Sequence, residues 1–309
     1  MNAAARRPRW QVWTVRTLVC VAAVLLVGWL LRGLDVARLR EAALGVPAAL
    51  WVFVIAAVGG THALRAARLV CEWRPRIGLR FAQAWRLQVL HNAAVNTLPM
   101  RAGEAGYAWL LHRDHGVKLA ESVPSLVWLR LQDATMLLAW GWLLLAPLPG
   151  AARVALAVIA AIVVARAAPW LLRAFARRLP PKVGDAIASR RGGWRSWACS
   201  AGNWTLKLLA VAALLQPLTG LDGIAALQGA LGGELAALLP LQGPAGLGTY
   251  EAGVWAGSLW GHPQAPEAAF TAALVAAALL VHVLWFLTGL AAAALTLLLQ
   301  PRVSPRAPR

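Results

Sequence analysis

Charge is scarce in this chain of 309 residues: only 14% are Asp, Glu, Lys or Arg, and acids are scarcer still, 12 against 30 bases. With 60% apolar residues, such a chain cannot hide its apolar surface inside one water-soluble core, so a bilayer must be its main solvent. The net charge of +18 would suggest nucleic acid in a soluble protein. Here the bases cluster between apolar runs, where anionic lipid head groups attract them, and no nucleic-acid partner is expected. Cysteine is equally thin. Cys20, Cys71 and Cys199 are scattered with no Cys-x-x-Cys pair, which indicates neither a disulfide framework nor a thiolate metal site. No nucleophile elbow, Walker-type loop or His-Glu-x-x-His pattern occurs, so no catalytic residue, cofactor or metal is assigned. His112 and His115 flank Arg113-Asp114 but offer too few ligands for a closed metal shell. The N-terminus is basic at Arg6, Arg7 and Arg9 and then apolar from Thr17 to Leu31. It lacks a clean small-x-small cleavage site and reads as an uncleaved first helix.

Long apolar runs are what the chain has in plenty. A spanning helix needs about 20 mostly apolar residues, and segments 13-31, 46-64, 122-147, 151-172, 196-217 and 268-298 qualify. Two stretches between them, 81-112 and 223-260, are too polar and too broken to be ordinary spans. Both carry an amphiphilic helix, a Leu-Pro break, a glycine-rich turn with an acid and a second short helix. The breaks read Asn96-Thr97-Leu98-Pro99-Met100-Arg101-Ala102-Gly103-Glu104 and Leu239-Pro240-Leu241-Gln242-Gly243-Pro244-Ala245-Gly246-Leu247-Gly248-Thr249-Tyr250-Glu251. Proline removes a donor and glycine permits unusual backbone angles, so each segment should break helix at the same place. Broken backbone at membrane depth requires cover from protein or a water-filled cavity. The expected fold is therefore an all-α polytopic membrane protein with six spanning helices and two re-entrant helical hairpins. With the hairpins returning to their side of entry, one face holds 1-12, 65-80, 113-118, 173-195 and the C-terminal tail. That face carries twenty Lys and Arg against four on the other, which places both termini in the cytoplasm. In that topology the halves 46-147 and 196-298 form an inverted repeat in a single domain, with 173-195 a basic cytoplasmic loop.

Ionisable groups within spans are costly, and several fall on shared faces. Arg130 and Asp133 stand three residues apart, Asn203 and Lys207 four apart, and His282 lies well inside the last span. With Arg101, Glu104 and Glu251 from the breaks, these are candidates to line one polar cavity. Arg101 and Arg130 suit a phosphate, and backbone amides around Gly246 and Gly248 suit an anion nest. Simpler roles stay open: a structural ion pair for Arg130 with Asp133, helix capping for Glu104 and Glu251, snorkelling for Lys207, and hydrogen-bonded packing for His282. Of the 17 Trp, Trp10, Trp13, Trp73, Trp170, Trp194 and Trp197 lie at expected span ends and read as an interfacial belt. Segment 33-45 reads as an amphipathic surface helix.

Asn96 through Glu104, then Arg130-Leu131-Gln132-Asp133, then Pro240 through Glu251 follow one another in order and register over nearly the whole chain. In this the chain resembles the lysylphosphatidylglycerol synthase transmembrane region family. It departs from the family where Tyr107 replaces a frequent arginine, where Leu129 replaces an acid, and in the last span, where the family often has an arginine near His282. The resemblance implies a bacterial inner-membrane lipid translocase, whose partner is an anionic or aminoacylated phospholipid. Arg101 and Arg130 would hold the phosphate, Asp133 would orient Arg130, and Glu104 and Glu251 would meet a cationic head group or carry a coupling proton. The aminoacyl-transfer domain of full synthases is not expected, since Arg309 closely follows the last span. A membrane-embedded lipid-modifying transferase and a non-catalytic partner of a lipid-synthesising enzyme are the alternatives, and a homo-oligomer is compatible with each.

Overall fold

The computed structural model describes residues 36–146, 193–239, 244–260 and 267–299, with short pieces between 149 and 174. The expected spans at 13-31 and 151-172, the basic loop 173-195 up to residue 192, and the termini therefore lie wholly or mostly outside the described residues. Among those described, nine α-helices and two short 3-10 turns occur and no strand. In chain order they are α1 (Val36–Gly45), α2 (Ala48–Ile77), α3 (Phe81–Thr97), a 3-10 turn (Pro99–Glu104), α4 (Ala105–His115), α5 (Leu119–Leu145), α6 (Trp194–Thr219), α7 (Gly223–Ala236), a 3-10 turn (Pro244–Gly246), α8 (Thr249–Ser258) and α9 (Ala268–Leu299).

Three of these, α2, α6 and α9, are long and apolar enough to cross a membrane. The equally long α5 carries Arg130, Gln132 and Asp133, which lower its hydropathy. Apolar side chains cover the outer faces as well as filling the packed core, and several ionisable groups lie inside. Val52, Phe53 and Ile55 on α2, Val123, Val127 and Leu138 on α5, and Leu287 and Leu295 on α9 are exposed, whereas Arg68, Gln132, Asp133, Asn203, Glu234 and Glu251 are buried. Large exposed apolar faces, with ionisable groups kept inside, are what a hydrocarbon solvent selects.

Helix α2 continues well past the apolar run that ends near residue 64. At 30 residues it is about 45 Å long at 1.5 Å per residue, against a hydrocarbon core of about 30 Å. Arg65 and Arg68 are consequently not loop residues, as the charge tally over 65-80 supposed. Arg68 is buried within the bundle, and only Arg74, Arg76 and Arg80 remain for the polar end. Trp73 is also no belt residue: it is fully buried, and its indole Nε1 donates to Tyr107 Oη at 2.8 Å. Trp194, by contrast, is exposed.

Each broken stretch folds as a helical hairpin. At the first, Pro99 restricts the residue before it to extended backbone, and Leu98 has φ −90° and ψ 135°. The chain reverses through the 3-10 turn, and Gly103 seats against α3 so closely that a Cβ would stand 2.2 Å from the backbone of Ala94. In the second, α7 starts on Asp222, whose side chain accepts from the amides of Ile224 and Ala225, an N-cap. Helices α7 and α8 then run antiparallel with their backbones almost touching. A Cβ on Gly232 would lie 2.1 Å from the Gly253 carbonyl, and one on Gly257 2.2 Å from the Gln228 carbonyl. Residues 240–243 of this break lie outside the described residues.

The packing crosses between the halves. Helix α2 packs on α6, α3 packs on α9, and α7 packs on α5. Side chains lock these contacts: Trp85 Nε1 donates to Thr296 Oγ1 at 3.1 Å, and Gln228 Nε2 to the Leu144 carbonyl at 2.9 Å.

Candidate functional site

Between the two hairpins and the inner faces of α2, α5, α6 and α9 lies a polar cleft of about 190 Å3. Its charged and polar lining comes from every element that the fold brings inward: His62, Arg65 and Arg68 of α2, His91, Asn92 and Asn96 of α3, Arg130 and Asp133 of α5, Lys207 of α6, Glu234 of α7, and His282 of α9. Tyr107, Trp204, Tyr250 and Trp285 add aromatic faces.

Asp133 is the centre of the densest cluster. Its Oδ1 accepts from Arg68 Nη1 at 2.6 Å and from Trp204 Nε1 at 3.0 Å, and its Oδ2 from Arg68 Nη2 at 3.2 Å. Arg130 reaches the same carboxylate only at 3.4 Å. Arg130 instead directs its Nη2 at both oxygens of Glu104, at 2.7 and 2.9 Å. Arg130 and Asp133 do pair, as their spacing allows, and each also has a shorter partner elsewhere. The two residues share a helix face as their spacing requires, but Glu104 is the main anchor of Arg130 and Arg68 the main partner of Asp133. The i,i+3 rule finds residues that can touch. It is blind to a better-placed cation arriving from another helix.

Glu251 in the second hairpin divides its two oxygens. Oε2 accepts from the Gly248 amide at 2.6 Å, and Oε1 lies 2.8 Å from His282 Nδ1. One oxygen thus caps the helix and the other meets His282, which lines the cleft where Glu251 itself does not. The Gly248 amide, expected as part of an anion nest, is occupied by this carboxylate. Gly246 stays on the cleft wall, next to Ala245, which adopts a left-handed φ of 56°. His282 also stacks obliquely on Tyr250, with ring centroids 4.6 Å apart.

Lys207 is no snorkelling residue. Its Nζ donates to Glu234 Oε2 at 2.7 Å, and Glu234 is itself buried. Its neighbour on the α6 face, Asn203, accepts from Arg65 Nε at 3.1 Å. Arg101 lies in the 3-10 turn of the first hairpin, but its side chain falls outside what is described. His112 turns to the Val117 carbonyl at 3.1 Å. Tyr107 stands where the resemblance expects an arginine and bonds to Trp73 on one side and Ser125 Oγ at 2.9 Å on the other, and Ser125 in turn donates to Glu72.

Arg65, Arg68, His91, Trp204 and Glu234 entered the site with no sequence expectation behind them. One signal was present for the first two: His62, Arg65 and Arg68 repeat every three residues and so share a helix face. Glu234 was similarly visible as a single acid in the otherwise uncharged run 223–236.

The model of the family described as Lysylphosphatidylglycerol synthase TM region matches residues 15–292 of the chain. No curated protein and no solved structure matches it.

Proposed function

Since the chain belongs to the Lysylphosphatidylglycerol synthase TM region family, we propose that it is a lipid translocase, in which a polar head group occupies the cleft while the acyl chains stay in the bilayer. The observation that carries this reading is the position of the cleft: a charged cavity enclosed by two broken hairpins inside a bundle whose outer faces are apolar. A head group needs a polar path through hydrocarbon, and irregular backbone at membrane depth is tolerated where it lines such a path. The hairpins are read as re-entrant, and the halves 46-147 and 196-298 as an inverted repeat among six spans. The crossed packing supports this, because the hairpin of each half lies on the last long helix of the other, α3 on α9 and α7 on α5. Sites between such repeats are a recurring transporter design. On this reading the protein sits in a bacterial inner membrane with both termini cytoplasmic, and its transport partner is a phospholipid.

The test is leaflet exchange of short-chain fluorescent lipids in liposomes carrying the purified protein. Wild type should accelerate exchange in a head-group-dependent way, and Arg130→Ala should slow it at least tenfold while remaining folded. Folded wild-type protein that moves no anionic, zwitterionic or aminoacylated lipid would end this reading.

A further inference from the structure

Among the described residues, three cations of the cleft are paired with carboxylates and one is not. Arg68 has Asp133 at 2.6 Å, Arg130 has Glu104 at 2.7 Å, and Lys207 has Glu234 at 2.7 Å. Arg65 has no carboxylate within ion-pair distance among the described residues. Its Nε is fixed by Asn203 Oδ1 at 3.1 Å, and its guanidinium lies 5.6 Å from the centre of the Trp204 ring. These two contacts position the planar group, Arg65 lines the cleft, and its Nη atoms have no hydrogen-bond partner among the described residues. A cation held inside a bundle without an anion is costly, and a fixed guanidinium presents paired donors that match two oxygens of a phosphate.

We propose that Arg65, positioned by Asn203, is the phosphate subsite of this protein, and that it takes the phosphodiester of a net-anionic lipid head group. The proposal rests on the lipid reading above and narrows it. An anion at Arg65 completes the fourth pair on the cleft floor. A head group that adds an ammonium meets carboxylates already facing cations: Asp133, Glu104 and Glu234 are engaged, and Glu251 lies behind His282. The carboxylate oxygen of Glu234 that lacks a donor is sealed from solvent. Aminoacylated lipids, with their added positive charge, are therefore disfavoured. The lipid reading by itself would have allowed them.

The experiment measures binding rather than movement. Detergent-purified full-length protein is titrated with dihexanoyl-phosphatidylglycerol, its lysyl ester, dihexanoyl-phosphatidylcholine and sn-glycerol 3-phosphate. Phosphatidylglycerol should bind at least tenfold more tightly than the other three. Arg65→Gln should lower that affinity tenfold or more. Asn203→Asp should do the same with the fold intact, because it places a carboxylate where Asn203 Oδ1 now sits and completes the pair internally. Arg113→Gln, on a surface pair with Asp114, should change nothing. The proposal is overturned if Asn203→Asp, or a cooperatively melting Arg65→Gln, binds phosphatidylglycerol as wild type does, or if the lysyl ester or phosphatidylcholine binds equally well. Equal binding of sn-glycerol 3-phosphate would assign the site to a soluble phosphate and overturn the lipid source. Arg65-dependent binding without leaflet exchange would end the translocase reading and leave the subsite standing. Exchange unaffected by Arg65→Gln would do the reverse.

Discussion

The two hairpins carry the same motif and use it differently. In each, an acid at or just after the turn meets a basic side chain on the long helix that follows: Glu104 with Arg130, and Glu251 with His282. The first pair belongs to a connected network, because Arg130 also touches Asp133, which in turn holds Arg68, Trp204 and Ser200. Its cation is an arginine, charged at every pH the cell meets. The second pair ends on an imidazole, and its acid spends one oxygen on the hairpin's own backbone. What differs is redundancy. The first region is an electrostatic post tying α2, α5, α6 and the first hairpin together, whereas the second is a local joint between one hairpin and α9.

That contrast makes ordered expectations. The largest effect should come from the centre of the network. Asp133→Asn leaves Arg68, 5% exposed, as a buried cation without its carboxylate, and should cost about 3–5 kcal/mol, read as a collapse in melting temperature and folded yield in detergent. A melt within a degree or two of wild type would show that the first region is no more a post than the second. Next come the hairpin backbones. Gly253→Ala drives a Cβ to 2.5 Å from the Gly232 carbonyl, and Gly103→Ala one to 2.2 Å from the Ala94 backbone, so each should lose about 1–3 kcal/mol through overpacking. Equal losses would show that both hairpins depend on close seating, although only the second is built from facing glycines. The smallest effect should separate the acids themselves. Glu251→Gln retains an oxygen for the Gly248 amide and should cost about 1 kcal/mol or less, whereas Glu104→Gln weakens the main anchor of Arg130 and should cost about 1–2 kcal/mol. Denaturant titration of both variants would reverse the assignment of post and joint if Glu251→Gln proved the more damaging.

Much of this architecture was legible in the residues. The helices over 46-64, 122-147, 196-217 and 268-298 follow from apolar run length alone, and α1 from the amphipathic pattern over 33-45. The break after Leu98 follows from proline chemistry, and the helix face shared by Arg130 and Asp133 from their spacing. Sequence reasoning went astray where a residue's neighbours lie far along the chain. Arg65 and Arg68 follow an apolar run and precede Arg74, Arg76 and Arg80, so locally they look like the start of a basic loop. They are interior residues because α6 brings Asn203, Ser200 and Trp204 against them and α5 brings Asp133. Trp73 was misplaced for the same reason, since only the fold supplies Tyr107 as its acceptor.

Hydrophobicity, proline and glycine act over a few neighbouring residues, so the order of residues is enough to set the solvent, the class of element and the places where helices break. The tertiary structure alone decided which charges are satisfied. Pairing depends on distances of a few ångströms between side chains up to 138 positions apart, as for Arg65 and Asn203. No local pattern encodes that, among the described residues, one of four cleft cations should be left without a carboxylate. It follows from how six elements close around a cavity, and it is the feature from which the phosphate subsite at Arg65 was inferred.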